Sequence, residues 1–260
     1  MICPKCKKEL FRDNNTYKCE NNHSYDIAKE GYVNLLLSRT ASGDSKDLVN
    51  GRINFLNQGY YEPLRQELEK IIADFKANRD IKLLDMGCGT GYYTHILSKY
   101  GESYGLDISK DAIKYAAKHD KNTTYIVASN KSAPFSDKYF DVLVHIFSPI
   151  FENEDYRLLK NDGILILVEP GQKHLIELKE LLYENPYLNE EKSHSYPSFK
   201  KLNQFSLTYA KEINDFDIQN LIMMTPYFYT TKKEILKAFK IDKNIVLTID
   251  FLITVFKTDF

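Results

Sequence analysis

The stretch LLDMGCGTG, residues 83–91, constrains the fold of this chain more than any other segment. Gly87, Gly89 and Gly91 follow a short apolar segment that contains Asp85. A glycine-rich turn after a buried strand leads directly into a helix, and it lets a ligand approach the backbone amides because no side chain stands in the way. A single turn of this kind is equally compatible with plain packing of a helix on a strand. The stretch therefore predicts a strand-turn-helix unit whose turn either binds a ligand or only packs.

Strand and helix patterns alternate along the chain around this turn. Apolar residues at helical spacing predict a helix over 62–77, with Pro63 in its first turn, and the segment 110–119 predicts another. Further strand patterns occupy residues 103–109, 123–129, 139–147 and 163–170. Such alternation predicts an α/β domain built on a parallel, doubly wound sheet.

The last third of the chain has a different pattern. Long β-branched runs over 244–260 predict the final strands of the sheet, arranged as a hairpin. The aromatic-rich segment from Phe205 to Phe228 is interpreted as core together with an insertion over the ligand site.

A second carboxylate accompanies the glycine turn. Asp107 ends the second predicted strand, 16 residues after Gly91, where a carboxylate can accept hydrogen bonds from both hydroxyls of a ribose. The tripeptide Ala-Ser-Asn at 128–130 ends the third strand. Dinucleotide dehydrogenases favour GxGxxG, whereas this chain has DxGCGTG with the leading Asp85. The combination indicates a nucleotide-type cofactor that is not a dinucleotide.

Three of the four cysteines lie within the first two dozen residues. Together with one histidine they give the spacing Cx2Cx12Cx3H, formed by Cys3, Cys6, Cys19 and His23. Two ligand pairs of this kind predict a closed, tetrahedral structural zinc site. The alternatives are a redox CxxC pair or unligated thiols, and the second ligand pair argues against both. Cys88 lies in the glycine turn and is expected to be a buried packing residue.

Longer segments resemble a known family. LLDMGCGTGYYT resembles the first motif of class I S-adenosylmethionine-dependent methyltransferases, whose glycine turn contacts the methionine part of the cofactor. In chain order, the resemblance to the RlmA family is carried by the Cx2Cx12Cx3H start, AKEGYVNLLL (28–37), FLNQGYYEPLR (55–65), GCGTGYYTH (87–95), GLDISKDAIKYAAK (105–118), APFSDKYFD (133–141) and HLIELKELLY (174–183). It is weakest over 185–215 and at the C-terminus.

RlmA enzymes methylate N1 of a guanine in a hairpin of bacterial 23S ribosomal RNA, so the resemblance implies that activity, that RNA partner and a homodimer. It implies a zinc-binding, RNA-recognising module over 1–36 and a class I, Rossmann-like methyltransferase domain over 37–260. It also implies that the zinc is carried by the Cx2Cx12Cx3H residues and that the cofactor, S-adenosylmethionine, contacts Tyr61, Gly89, Thr90 and His174. Asp85, Gly87 and Asp107 complete the expected cofactor site.

The charge of the chain leaves other substrates open. A net charge of -1 creates no global attraction for nucleic acid, so RNA binding would depend on local patches. A methyltransferase acting on a protein or small molecule is one alternative, and an inactive zinc-bearing RNA-binding protein is another. Apolar runs such as 164–168 are far shorter than the roughly 20 residues of a membrane span, so we expect a cytoplasmic protein without membrane contact.

The sequence does not identify the catalytic base. Guanine N1 carries a proton at neutral pH, which must leave during methyl transfer. Glu169, at the end of the fifth strand, is one candidate acceptor, and a solvated carboxylate is the alternative. The segment HIFSPI (145–150) lacks the Asn/Asp-Pro-Pro-Tyr pattern of enzymes that methylate exocyclic amines. Its Ser148 and Pro149 either line the target pocket or simply end the strand.

Overall fold

A computed structural model describes residues 1–37, 45–77, 79–190, 196–238 and 244–258. Within these residues the chain forms one small antiparallel sheet and one large mixed sheet. The small sheet consists of β1 (Phe11–Asp13), β2 (Thr16–Lys18) and β3 (Ser24–Asp26). The strands of the large sheet are β4 (Val33–Asn34), β5 (Lys82–Met86), β6 (Glu102–Asp107), β7 (Thr123–Val127), β8 (Phe140–Ile146), β9 (Leu159–Pro170), β10 (Phe199–Ile213) and β11 (Ile245–Thr258).

The helices flank the large sheet. They are α1 (Lys46–Asn57), α2 (Glu62–Lys76), α3 (Thr94–Leu97), α4 (Lys110–His119), α5 (Glu152–Leu158), α6 (Ile176–Leu182), α7 (Asp215–Met224), α8 (Tyr227–Thr230) and α9 (Lys233–Ala238). None of them has both the length and the apolar character that crossing a bilayer requires, as far as the structure describes the chain.

The large sheet has the strand order β10-β11-β9-β8-β5-β6-β7-β4. The six strands from β9 to β4 in this order run parallel, and β11 and β10 follow antiparallel at one edge. The predicted doubly wound α/β fold is therefore confirmed. The carboxyl ends of the central parallel strands meet at one edge, which is where such sheets bind ligands.

One prediction for the last third of the chain is wrong, and a second is confirmed only for its core residues. The segment predicted as a hairpin contains one continuous strand, β11, which pairs with β9 on one side and β10 on the other. The segment from Phe205 to Phe228 contributes core residues such as Ile218 and Leu221, as predicted, but its first part is β10, a strand of the sheet followed by α7, and not an insertion over the ligand site. The physical reason is that β11 finds partners along both edges, so its β-branched run needs no reversal to satisfy its backbone groups.

Helix α2 shows how a local pattern reaches the core. It begins at Glu62 with Pro63 in its first turn, as predicted. Leu64, Leu68 and Ile72 recur along one face and are fully buried beneath the sheet's central strands. Burying side chains of this size contributes roughly 1.5–3 kcal/mol each, so the apolar stripe fixes the helix on the sheet.

The small sheet is packed firmly onto the large one. The amide of Ile2 donates to the carbonyl of Pro134 at 2.8 Å, and β4 extends the large sheet beside β7. Cys3, Leu10 and Cys19 belong to the same apolar cluster as Phe135 of the larger domain. The proposed boundary after residue 36 stays a prediction, and β4 on its N-terminal side completes the large sheet.

Candidate functional site

The glycine turn follows β5 and adopts a conformation that only glycine takes easily. Gly87, Gly89 and Gly91 have φ angles of +83°, +53° and +77°. A Cβ on Gly91 would lie 2.6 Å from the hydroxyl of Tyr125, and one on Gly87 would lie 2.6 Å from Cβ of Ser148. These two glycines are therefore required for packing of the turn itself.

Gly89 differs from its neighbours because it faces open space. A Cβ there would meet no atom closer than Nη1 of Arg52, at 3.8 Å. The next residue, Thr90, is buried and also lines a cleft of about 350 Å³ beside the turn, between α1, α2 and α4. Gly89 is thus the point of the turn at which a ligand can approach the backbone closely.

Asp107 joins the glycine turn to the neighbouring strand. Its Oδ2 accepts a hydrogen bond from the amide of Gly89 at 2.9 Å, and its Oδ1 accepts one from the amide of Ser109 at 2.7 Å. Each carboxylate oxygen has further lone-pair capacity, so the group can still accept hydroxyl hydrogens. The half-buried carboxylate is held in place at the carboxyl end of β6, as a ribose acceptor would need to be.

Asp85 lies beneath the turn and is almost completely buried. The hydroxyl of Thr94 donates to its Oδ2 at 2.6 Å, which ties β5 to the start of α3. Burial raises the pKa of the Asp85 carboxyl to about 7. This carboxyl supports the turn from below, and a direct contact with a cofactor stays a prediction.

Tyr61 and His174 come together although 113 residues separate them. Both are buried, and Tyr61 Oη lies 3.4 Å from His174 Nε2. His174 Nδ1 accepts a hydrogen bond from the amide of Asp250, so the hydrogen of the neutral ring is on Nε2. Burial lowers the pKa of His174 to about 4, so the ring is neutral near pH 7. The pair offers uncharged hydrogen-bonding groups at the edge of the sheet.

Two further residues lie at this edge although their sequence context did not single them out. Arg52 of α1 lies near Gly89, and Phe147 follows β8 with an exposed aromatic ring. Phe147 is part of the HIFSPI segment, but an isolated phenylalanine there carries no signal that separates binding from packing. The base candidate Glu169 is half-buried at the end of β9, and its role stays a prediction.

The four expected metal ligands converge in the small sheet. Their ligand atoms all lie within 4.8 Å of one another. His23 Nδ1 lies 3.5 Å from the sulfurs of Cys3 and Cys19, and the sulfurs of Cys6 and Cys19 are 3.6 Å apart. A tetrahedral zinc ion with ordinary bond lengths places such atoms about 3.5–3.8 Å apart. The donor set therefore fits a closed zinc site.

Local backbone turns and one hydroxyl support this centre. Asn22 and Lys7 adopt positive φ angles of 59° and 62°, and the amide of Lys7 donates to the carbonyl of Cys3. The hydroxyl of Tyr25 lies 3.2 Å from the sulfur of Cys3, as expected for a partner that orients a metal ligand. Cys88 is buried outside the cluster, which confirms its packing role.

Comparison with known proteins identifies both parts of the chain. Residues 1–39 match the RlmA N-terminal zinc-ribbon family, and residues 77–242 match a methyltransferase domain family. YxjB of Bacillus subtilis (strain 168), a protein assigned as a 23S rRNA (guanine-N1)-methyltransferase, is 31% identical over 95% of this chain and 93% of its own length. The chain belongs to the RlmA family.

Other similarities agree with RlmA membership. A Streptomyces fradiae protein named 23S rRNA (guanine(748)-N1)-methyltransferase is 33% identical, over 69% of this chain and 66% of that protein. The YcgJ structure from Bacillus subtilis superimposes with a TM-score of 0.50 and 19% identity, covering 75% of this chain and 99% of YcgJ, and it shows the fold alone. As an RlmA methyltransferase, the chain uses S-adenosylmethionine and a structural zinc ion.

Proposed function

We propose that this RlmA enzyme transfers a methyl group from S-adenosylmethionine to N1 of a guanine in 23S ribosomal RNA. The observation that carries the proposal is its similarity to YxjB along 95% of the chain, and residues 1–39, which hold the zinc centre, match the RlmA N-terminal family in addition. A zinc ribbon packed on the methyltransferase sheet adds binding surface, which suits a substrate larger than a metabolite. The position of the target guanine in a hairpin of that RNA, a homodimeric state and a cytoplasmic location belong to the same proposal.

The cofactor site is assigned residue by residue under this proposal. Asp107 accepts the ribose hydroxyls, and the open face at Gly89 and Thr90 admits the methionine part. Tyr61, just before α2, and the neutral His174, between β9 and α6, contact the cofactor. Asp85 and Gly87 support the glycine turn. When bound, S-adenosylmethionine supplies an electrophilic methyl group on its sulfonium. The chain contributes mainly alignment and exclusion of water, which an in-line methyl transfer requires.

The proton on guanine N1 needs a separate acceptor. The Glu169 carboxylate at the end of β9 remains one candidate, and bulk water reached through the site is the other. A pH profile of kcat that changes shape in Glu169→Gln supports Glu169, whereas an unchanged profile assigns the proton to water.

The substrate is tested with purified protein, labelled S-adenosylmethionine and unmethylated large-subunit RNA. We expect label in one guanine, and we expect reverse transcriptase to stop there because N1 methylation blocks the Watson–Crick edge. The position of the stop also identifies the nucleotide. Asp107→Ala serves as the control with an impaired cofactor site.

Two outcomes contradict the proposal. Cofactor-dependent label that survives ribonuclease indicates a protein or small-molecule substrate. RNA binding without any measurable affinity for the cofactor by calorimetry indicates an inactive, zinc-bearing RNA-binding protein.

A further inference from the structure

Phe147 has a backbone conformation that is unusual for a bulky residue. It is the first residue after β8, and its φ angle is +56°. Left-handed conformations are strained for residues other than glycine, and they persist where the surrounding structure imposes them, often at binding sites. Its amide is nevertheless paired, donating to the carbonyl of Val168 at 3.1 Å. The strain is therefore a fixed feature of the turn after β8.

A buried network holds this turn from below. Ser148 Oγ donates to the carbonyl of Met86 and lies 3.0 Å from His145 Nδ1. The other ring nitrogen, Nε2, lies 3.1 Å from Oδ1 of Asp155, and neither the histidine nor the aspartate side chain is exposed to solvent. The network connects β8 to β5 and α5, so the residues flanking Phe147 have little freedom to relax.

The ring of Phe147 is held outward at the carboxyl edge of the sheet. It lies nearly parallel to His174, with an interplanar angle of 24° and ring centroids 6.4 Å apart, and its centroid is 5.5 Å from that of Phe251. The residue is still 43% exposed. The adjacent Ser148 packs against Gly87, so the exposed ring is next to the glycine turn.

We propose that Phe147 is the residue on which the target base stacks during methyl transfer. This inference rests on the proposed function, because it requires a nucleobase substrate. Proteins that read unpaired RNA bases stack them on aromatic side chains, and a strained, outward-facing ring beside the cofactor turn provides such a surface. His145 contacts Ser148 and Asp155, so these side chains hold the backbone next to the ring.

Two variants distinguish stacking on the aromatic ring of Phe147 from contact with any large apolar side chain. Phe147→Leu keeps a large apolar side chain without an aromatic face, whereas Phe147→Tyr keeps the face. We expect Phe147→Leu to lower kcat/KM for an RNA fragment by roughly 5- to 150-fold, the range for loss of one stacked base, with Kd for S-adenosylmethionine unchanged. Phe147→Tyr should recover most of this loss. Phe216→Leu, the same change at an exposed phenylalanine of α7, is the matched control.

A fluorescent guanine analogue at the target position gives a readout independent of turnover. Stacking on Phe147 should quench its emission on binding, and the quenching should be lost in Phe147→Leu and kept in Phe147→Tyr. If the wild-type protein methylates guanine N1 and Phe147→Leu matches it in kcat/KM and in quenching, the stacking role is wrong. If the wild-type protein methylates no guanine, the proposed function itself is wrong.

Discussion

The amide of Gly89 donates a hydrogen bond to Oδ2 of Asp107 at 2.9 Å, which links the glycine turn to the strand beside it. The same carboxylate accepts the amide of Ser109. One side chain thus fixes the shape of the turn and presents oxygen atoms to the ligand side. A change at Asp107 should disturb both functions at once.

We expect Asp107→Ala to weaken S-adenosylmethionine binding by about 10- to 100-fold. The physical reason is the loss of charge-assisted hydrogen bonds, which are worth about 1.5–3 kcal/mol each. Isothermal calorimetry measures the change. Asp162→Asn, an exposed carboxylate in the β9 segment, is the control and should bind the cofactor normally. Equal cofactor affinity in the two variants would remove Asp107 from the site.

Two alanine substitutions in the turn should have opposite consequences. Gly91→Ala places a Cβ 2.6 Å from the hydroxyl of Tyr125, so we expect a large loss of thermal stability. Gly89→Ala meets no atom within 3.8 Å and should cost only the roughly 1–2 kcal/mol of a left-handed alanine. It fills ligand space, however, so cofactor affinity should fall far more than stability. Melting curves with and without S-adenosylmethionine distinguish the two, and a cofactor-induced shift of normal size in Gly89→Ala would contradict the assignment.

The zinc centre should be separable from the cofactor site. We expect Cys6→Ser to lower the bound zinc and the affinity for RNA while leaving cofactor affinity largely intact, because the thiol lies 3.6 Å from that of Cys19 and outside the glycine turn. Metal analysis and calorimetry measure these effects. Cys88→Ala, which changes a cysteine outside the cluster, should retain its zinc. An unchanged metal content in Cys6→Ser would refute the site.

His174 should make stability depend on pH on the acid side. Its pKa is about 4 in the folded protein and about 6.5 in the unfolded chain. Above pH 6.5 the His174 ring is neutral in both the folded and the unfolded state. Between pH 6.5 and 4 only the unfolded state binds a proton on this ring, so the free energy of unfolding falls as the pH falls. Below pH 4 both states bind the proton and the effect levels off. The full effect is about 3 kcal/mol. Urea unfolding of the wild type and His174→Gln at pH 7.5 and 5 measures it.

The difference between those two proteins is the informative quantity. The Asp85 carboxyl, with a pKa raised to about 7 by burial, acts in the opposite direction: stability falls as the pH rises from about 4 to 7. Loss of zinc in acid affects both proteins equally. If His174→Gln loses as much stability as the wild type between pH 7.5 and 5, His174 is not buried in its neutral form.

Short-range features were predictable from the sequence. The ligand pairs of the zinc site lie within local turns, so their spacing alone indicates the geometry, and Asn22 takes a left-handed conformation in the turn between Cys19 and His23. The glycine turn, the α4 helix and the Asp107 carboxylate follow from periodicity and strand-turn-helix order. These features depend on residues that are close in sequence, where chain geometry leaves few alternatives.

Contacts between residues that are far apart in the chain could not be predicted from the sequence alone. Only the family resemblance implied that Tyr61 and His174 lie at the same site. The structure shows β11 paired with both β9 and β10, whereas the sequence pattern predicted a hairpin. The outward ring of Phe147 depends on a hydrogen-bond network that reaches β5 and α5. The sequence by itself determined the metal ligands, the cofactor turn and the fold class, because local backbone and ligand chemistry specify them. Only the tertiary structure decided which distant side chains share the site, because burial and partner strands select among conformations that are locally equivalent.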